Sequence, residues 1–462
     1  MARDTSDNRP IASIADLAAR LSDGCKPKAR WRIGTEHEKI GFRKTTHVPV
    51  PYEGARGIRQ LLEGMEGLLG WEPIRDRGAI IGLVDPTHGG AISLEPGGQF
   101  ELSGAPLVHL HQTAAELHAH MAQVRELAEP LGFGFLGLGA SPLWSLAETP
   151  VMPKSRYAIM ANYMPKVGTR GLDMMFRTAT VQVNLDFASE ADMVRKMRAS
   201  IALQPIATAL FANSPYLDGR ITGRQSERSE IWRDTDNARA GMVPFVFAPG
   251  YGFEAYVDWA LDVPMYFVKR GDTYHDATHV TFRQFMAGAL RADLPGVVPT
   301  IGDWDNHLGT LFPEVRLKRY LEMRGADSGS EAHILALPAF WVGLLYDEAA
   351  LDAASDLIGD WSTADMQALR DAVPAQGLDA VIAGRPVREV AREAVAIARE
   401  GLRRRGYVNC CGNDETVYLT PLDIIVERGK TEAQVLVDKY GSDFETLFTA
   451  CEMTPTGDLG CL

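Results

Sequence analysis

Two carboxylates, Glu36 and Glu38, stand two residues apart in the stretch Trp31-Arg-Ile-Gly-Thr-Glu-His-Glu-Lys-Ile-Gly-Phe42. On a strand, side chains alternate with period 2, so both point to the same face. Like charges on one face repel, and such a pair is either solvated or neutralised by a cation. The pattern recurs. Glu95, Gln99 and Glu101 share parity, as do Gln182 and Asn184, and Glu322 and Arg324. Gathered into one sheet, these segments would line a concave face with the carboxylates of Glu36, Glu38, Glu95, Glu101 and Glu322. Buried together, those groups could not all ionise without a compensating cation. An all-oxygen donor set suits Mg2+ or Mn2+, and Mg2+ suits phosphates. The chain has no P-loop and no kinase signature, so a nucleotide would be held mainly through metal ions. Spacing alone leaves two readings open, a metal–nucleotide site and a set of solvated strand faces.

Two other patterns carry less. Gly132-Phe-Gly-Phe-Leu-Gly137 matches GxGxxG in form. A dinucleotide fingerprint follows a strand and opens a helix; here a helix precedes and the glycines sit inside an apolar strand, where they permit close backbone packing. His109, His111, His118 and His120 cluster on one helical segment, but neither HExxH nor a convergent Cys/His spacing is present. A helix surface or partly buried packing is the better reading. His37 and Lys39 fall on the opposite strand face from the glutamates and read as structural.

The elements that must position these residues follow from hydrophobic period and end signals. A capping-box pattern at Ser13 opens a helix to about Leu21, and apolar spacing from Ile58 to Leu69 is helical. Residues 79–84 form an apolar strand. Residues 91–103 read as one strand interrupted at Pro96-Gly97-Gly98, where a bulge would break the shared parity. A long helix over 109–131, a strand over 132–139 and a short helix over 155–164 follow. The strand Thr178–Phe187 precedes a helix over 190–211, and further strands are predicted over 263–268 and 315–323. From Ala336 the chain is mostly helical, ending in helices over 387–404 and 432–450. Strands come in irregular clusters without strict βαβ alternation, which predicts an α+β fold around a mainly antiparallel sheet. Residues 1–10 read as a disordered N-terminus, and 11–462 as a single domain with a helical C-terminal part.

Composition excludes several classes. The balance of 60 acidic against 47 basic residues gives a net charge of −13 with no basic stripe, so nucleic acid is not an expected partner. No apolar run is long enough to span a bilayer, so no membrane is expected either. The 5 cysteines form no CxxC, which reads as a reduced protein; with no signal or transit pattern, a cytoplasmic location is expected.

The same stretches resemble glutamate–cysteine ligase of the plant and proteobacterial type. Matching segments include Trp31–Lys39, Tyr163-Met-Pro-Lys-Val-Gly168, Leu172-Asp-Met-Met-Phe-Arg177, Gln204–Pro215, Phe312–Tyr320 and Ala336–Tyr346. The resemblance implies a glutamine-synthetase-like fold, a curved antiparallel sheet forming a funnel surrounded by helices. It implies ATP-dependent ligation of the glutamate γ-carboxylate to the cysteine amine through an acyl phosphate, in the first step toward glutathione. The alternative keeps the chemistry and changes the amine acceptor. Carried over residue by residue, the metal carboxylates are Glu36, Glu38 and Glu101, with Glu322 bridging to the nucleotide phosphates and Glu95 a weaker member. Arg324 would stabilise the transferred phosphoryl group, with Glu38 beside it. Gln182 and Asn184 would line the site, and Arg228 and Trp232 would recognise the amino acid. The implied ligands are Mg2+ or Mn2+, with ATP, L-glutamate and L-cysteine as substrates, acting on a monomer or weak homodimer. Plant enzymes carry switch cysteines where this chain has Ala179, Ala277, Ala292 and Leu335, so no plant-type disulfide switch is expected.

Overall fold

The computed structural model describes residues 7–453. Nine strands form one sheet: β1 (Ile33–Arg43), β2 (Glu72–Asp76), β3 (Ala79–Val84), β4 (Ala91–Leu94), β5 (Phe100–Ser103), β6 (Phe133–Leu136), β7 (Thr180–Leu185), β8 (Val315–Leu317) and β9 (Leu321–Asp327). Their order is β8-β9-β7-β1-β5-β4-β3-β2, with β6 paired to the far half of β1. Every pairing is antiparallel. The central strand β1 is long enough to hold three partners along its length, β7 and β5 near its start and β6 at its end.

Helices cover the back of this sheet. Val181, Val183 and Leu185 of β7 and Leu321 and Met323 of β9 pack in one core with Met193, Met197 and Ile201 of the Glu190–Leu210 helix. Alternation on the strands presents these apolar residues on the side opposite the polar ones. The Glu331–Leu345 helix is apolar on all sides and buried, as expected of a helix enclosed by others. It crosses the Val387–Arg405 helix at close range, because a Cβ on Gly343 would meet the Ala398 carbonyl oxygen at 2.3 Å and one on Gly401 the Gly343 oxygen at 1.9 Å. Only glycine permits that approach. A second core joins Ile58, Leu61, Leu62 and Met65 of the Ile58–Leu69 helix to Ile80, Ile92, Leu94 and Phe100 of the sheet. Each such aliphatic side chain contributes about 2 kcal/mol by leaving water.

Several expectations change. Residues 91–103 are a hairpin, not one strand: Ser93 stands opposite Glu101 and Leu94 opposite Phe100. The turn at Pro96-Gly97-Gly98 reverses the chain, with Gly98 at φ 88. Residues 315–323 likewise divide into β8 and β9. The predicted strand over 263–268 lies later, at Phe267–Arg270, paired with Thr273–Asp276. The last helix breaks at Gly441 (φ 54) into Glu432–Tyr440 and Phe444–Cys451. Residues 7–10 are docked, not frayed, since Ile301 N donates to Arg9 O at 2.9 Å and Gly302 N to Asp7 O at 2.8 Å. The expectation for residues 1–6, and Cys461, lie outside the described residues. Cys411 is disulfide-bonded, while Cys25 and Cys451 are free thiols, which corrects the all-thiol reading.

Candidate active site

The sheet register brings the polar pairs together. Glu36 of β1 stands opposite Ser103 of β5 and Gln182 of β7, and Glu38 opposite Glu101. Asn184 of β7 stands opposite Glu322 of β9, and Glu322 opposite Arg316 of β8. Glu95 joins them from the β4–β5 turn. Glu36, Glu38, Glu95, Glu101, Gln182, Arg316 and Arg324 line one cavity of about 110 Å³, with Arg228 and Trp232 also in its wall. A larger groove of about 500 Å³ meets it at Asn306 and is lined by Lys154, Lys269 and Arg270. The solvated-face reading fails on burial: Glu36 is 9% exposed, Glu101 2% and Glu322 0%.

Each carboxylate has its own surroundings. Glu36 Oε1 accepts from Asn184 Nδ2 at 2.8 Å, and Glu38 Oε2 accepts from the Thr180 backbone N–H at 2.9 Å. Burial first, then repulsion from Glu322 and Glu101, raises the Glu36 carboxyl above its ordinary range. Burial and the charges of Glu95 and Glu101 raise Glu38 well above it, and burial with Glu101 raises Glu95. Glu101 is held low in spite of burial, helped by the Ser93 hydroxyl at 2.7 Å and the Ser103 hydroxyl at 2.8 Å. Three carboxyls on one cavity thus lack the countercharge that would ionise them together.

Glu322 departs from its expected place. Arg316 holds it through both carboxylate oxygens, with Nη2 donating to Oε1 at 2.9 Å, and Lys318 and Arg324 lie at 3.6 and 3.4 Å. These cations outweigh burial and keep it well below the ordinary range. Glu322 does not line the cavity. Arg316 is buried, and its Nη1 donates to the carbonyls of Gly309 and Leu311.

The five carboxylates expected to hold metal are not gathered to ligating distance of one another in this structure. Among the described residues, no group of three His, Cys, Asp or Glu side chains is close enough to hold a metal ion as arranged. The donor chemistry nevertheless fits a hard divalent cation. Glu36, Glu38, Glu95 and Glu101 share one cavity, offer only oxygens, and three of them are raised for want of positive charge.

Cationic and donor groups face these acids. Arg324 Nη1 donates to Gln182 Oε1 at 2.6 Å, which fixes the guanidinium in the cavity. Arg228 is 3% exposed and donates Nη2 to the Arg324 carbonyl at 2.8 Å. Its Nε and the Trp232 Nε1 are buried donors without partners among the described residues. Unmet buried donors of this kind call for a ligand. Arg228 is set there by Asp327, which follows a bulge in β9 and accepts from Ser214 Oγ at 2.6 Å, Ser226 Oγ at 2.8 Å and Asn213 N at 2.9 Å. Ser214 Oγ in turn accepts from Arg228 N at 3.1 Å. Asp327 and Ser93 were not singled out in the sequence as site residues. Ser93 shares parity with Glu95, and that was a usable signal. Gln99 is spent on backbone, donating to Thr178 O at 2.8 Å and accepting from Gly97 N at 2.9 Å.

The two weaker motifs resolve as packing. A Cβ on Gly134 would meet Glu452 Oε1 at 2.6 Å and one on Gly137 the Gly329 carbonyl oxygen at 2.5 Å, so these glycines admit neighbours. His120 packs against His37 behind β1, with ring centroids 5.6 Å apart.

A model of the family described as glutamate-cysteine ligase family 2 matches residues 32–453. The chain is 56% identical over 425 residues to the chloroplastic glutamate–cysteine ligase of Nicotiana tabacum, covering 92% of this chain and 79% of that one. It is 54% identical over 429 residues to the chloroplastic glutamate–cysteine ligase of Arabidopsis thaliana, covering 93% and 80%. The fold is similar to that of a glutamate–cysteine ligase from Francisella tularensis solved with AMP, with TM-score 0.52 and 11% identity over 91% of this chain and 87% of that one. The expected cytoplasmic location is overturned by these comparisons, because relatives at 53–56% identity are named chloroplastic.

Proposed function

Because the chain belongs to glutamate-cysteine ligase family 2, we propose that it ligates glutamate to cysteine at the site described above. The γ-carboxylate is phosphorylated by ATP, and the cysteine amine displaces phosphate from the γ-glutamyl phosphate. The product is γ-glutamylcysteine, and the step is the first toward glutathione. The observation that supports this placement most is the pair of buried, unpartnered donors, Arg228 Nε and Trp232 Nε1, on a cavity otherwise walled by carboxylates. They match a ligand that brings its own carboxylate.

Arg228 receives the substrate carboxylate, its orientation fixed through Ser214 and Asp327. Arg324, braced by Gln182, faces the phosphoryl group and stabilises its charge. Asn184 orients Glu36, and Arg316 keeps Glu322 ionised so that Glu322 in turn steadies Arg324. Glu38, raised by burial and by the charges of Glu95 and Glu101, is the carboxylate we assign to take the proton from the attacking amine. Glu36, Glu38, Glu95 and Glu101 would hold Mg2+, which neutralises phosphate charge when bound. The nucleotide extends into the groove bearing Lys154, Lys269 and Arg270, since the inner cavity of about 110 Å³ has no room for it.

Phosphate release from ATP and Mg2+, measured with and without each amino acid, tests the reading. Release should require glutamate and rise with cysteine above other amines. Release independent of both amino acids, or equal with other amines, would reject the assignment.

A further inference from the structure

A second cavity, of about 420 Å³, lies among the helices behind the sheet and shares no residue with the active-site cavity. Leu335 and Ile424 stand in its apolar walls, and His118, Glu331, His333 and Glu432, with the hydroxyl residues Tyr418 and Thr420, supply its polar groups. Its size and its few polar groups on apolar walls are those of a small-molecule site.

Glu331 is the anomaly. It is 3% exposed, yet neither carboxylate oxygen has a hydrogen-bond partner among the described residues. His118 Nε2 lies 3.6 Å from Oε2, beyond hydrogen-bond reach. His118 Nδ1 and His333 Nε2 are also buried without a hydrogen-bond partner among the described residues, His333 Nε2 lying 3.8 Å from Glu432 Oε1. Burial pushes the Glu331 carboxyl up to about 7, against the pull of Arg125 and Lys39. Burial lowers both imidazoles, so neither serves as its counterion. Glu432 is already paired, with Arg428 at 2.7 Å, and no Lys or Arg lines the cavity. A desolvated carboxylate without a donor is costly, and an arriving cation restores the missing pair.

We propose that this cavity binds a small organic cation, a primary ammonium on an apolar body, with the ammonium on Glu331 and the body between Leu335 and Ile424. An ammonium has three donors. Glu331 takes at least one, and His333 Nε2 offers an acceptor for another. The matching tautomer of His333 donates Nδ1–H to Ser330 Oγ, 2.8 Å away, which leaves Nε2 free to accept. None of these residues takes part in the ligase reading, so the two stand or fall separately.

The probe is hexylammonium, titrated calorimetrically at pH 8 and low salt against hexan-1-ol and hexanoate. Hexylammonium should bind saturably and about tenfold or more tighter than either, the carboxylate–ammonium pair making the difference. Glu331→Gln keeps the shape and removes the charge, and should weaken binding about tenfold. Ile424→Lys, on an exposed wall position, places a cation at the mouth and should weaken it comparably while leaving the fold undisturbed. No saturable binding up to about 20 mM, equal binding of hexan-1-ol, or unchanged affinity in Glu331→Gln would overturn the proposal.

Discussion

At the scale of single residues, the site is a problem of unbalanced charge. Glu36 is buried and Glu38 and Glu95 half-buried; all three are raised, and each depends on a positive ligand to ionise. Glu36→Gln should lower kcat about 10²-fold or more with unchanged circular dichroism, because it removes one of the charges that neutralise a phosphoryl transfer site. Near-normal turnover would take Glu36 out of the site. Arg228→Lys should raise KM for glutamate about 30-fold with little change in kcat, since an ammonium cannot replace a guanidinium's paired donors. A matching fall in kcat instead would point to a role in the chemical step. The sequence made Glu36 and Glu38 legible through their spacing. It could not show that Glu322 is claimed by Arg316, because that pairing crosses the β8–β9 hairpin, whose turn lies inside what reads as one strand.

At the scale of elements, β1 carries polar residues on both faces, and the rear face is a cost. Lys39 is 0% exposed, and its Nζ reaches His37 Nδ1 at 3.0 Å with no carboxylate in ion-pair distance among the described residues. Burial lowers it from 10.5 to about 7. Between those values the unfolded chain binds a proton that the folded chain does not, so this group makes stability rise with pH across that window. Lys39→Met should therefore stabilise the fold by about 3 kcal/mol at neutral pH, with the gain shrinking towards pH 10. Urea denaturation of both proteins across pH reads this directly. A gain that does not change with pH would mean that packing, not charge, is responsible. Element positions were largely legible, the Ile58–Leu69 helix at both ends, because apolar period and caps are local signals. The 91–103 hairpin was not, since Pro96-Gly97-Gly98 is compatible with a bulge or a reversal, and only the partner strands choose between them.

At the scale of the whole molecule, one sheet backs both cores and fronts the site, so we expect the chain to unfold as a single domain. Calorimetry should give one transition, moved up by about 3 °C when ATP and Mg2+ are present near a hundredfold above their dissociation constants. Removing the metal with a chelator should abolish that shift. Two separated transitions would divide the chain into independent units. Reductant should leave specific activity unchanged, because the plant switch positions here are Ala179, Ala277, Ala292 and Leu335, and Cys411 lies outside both cavities. By itself, the sequence determined which residue types share a strand face and that a cation was needed if those faces were buried. Those properties depend on spacing and on charge, which are written locally. Only the tertiary structure decided that the faces are brought together, that Glu322 is spent on Arg316, that Asp327 sets Arg228, and that Glu331 is left without a hydrogen-bond partner among the described residues. Those outcomes depend on which distant segments meet, and the meeting is fixed by strand register and helix packing across the whole chain.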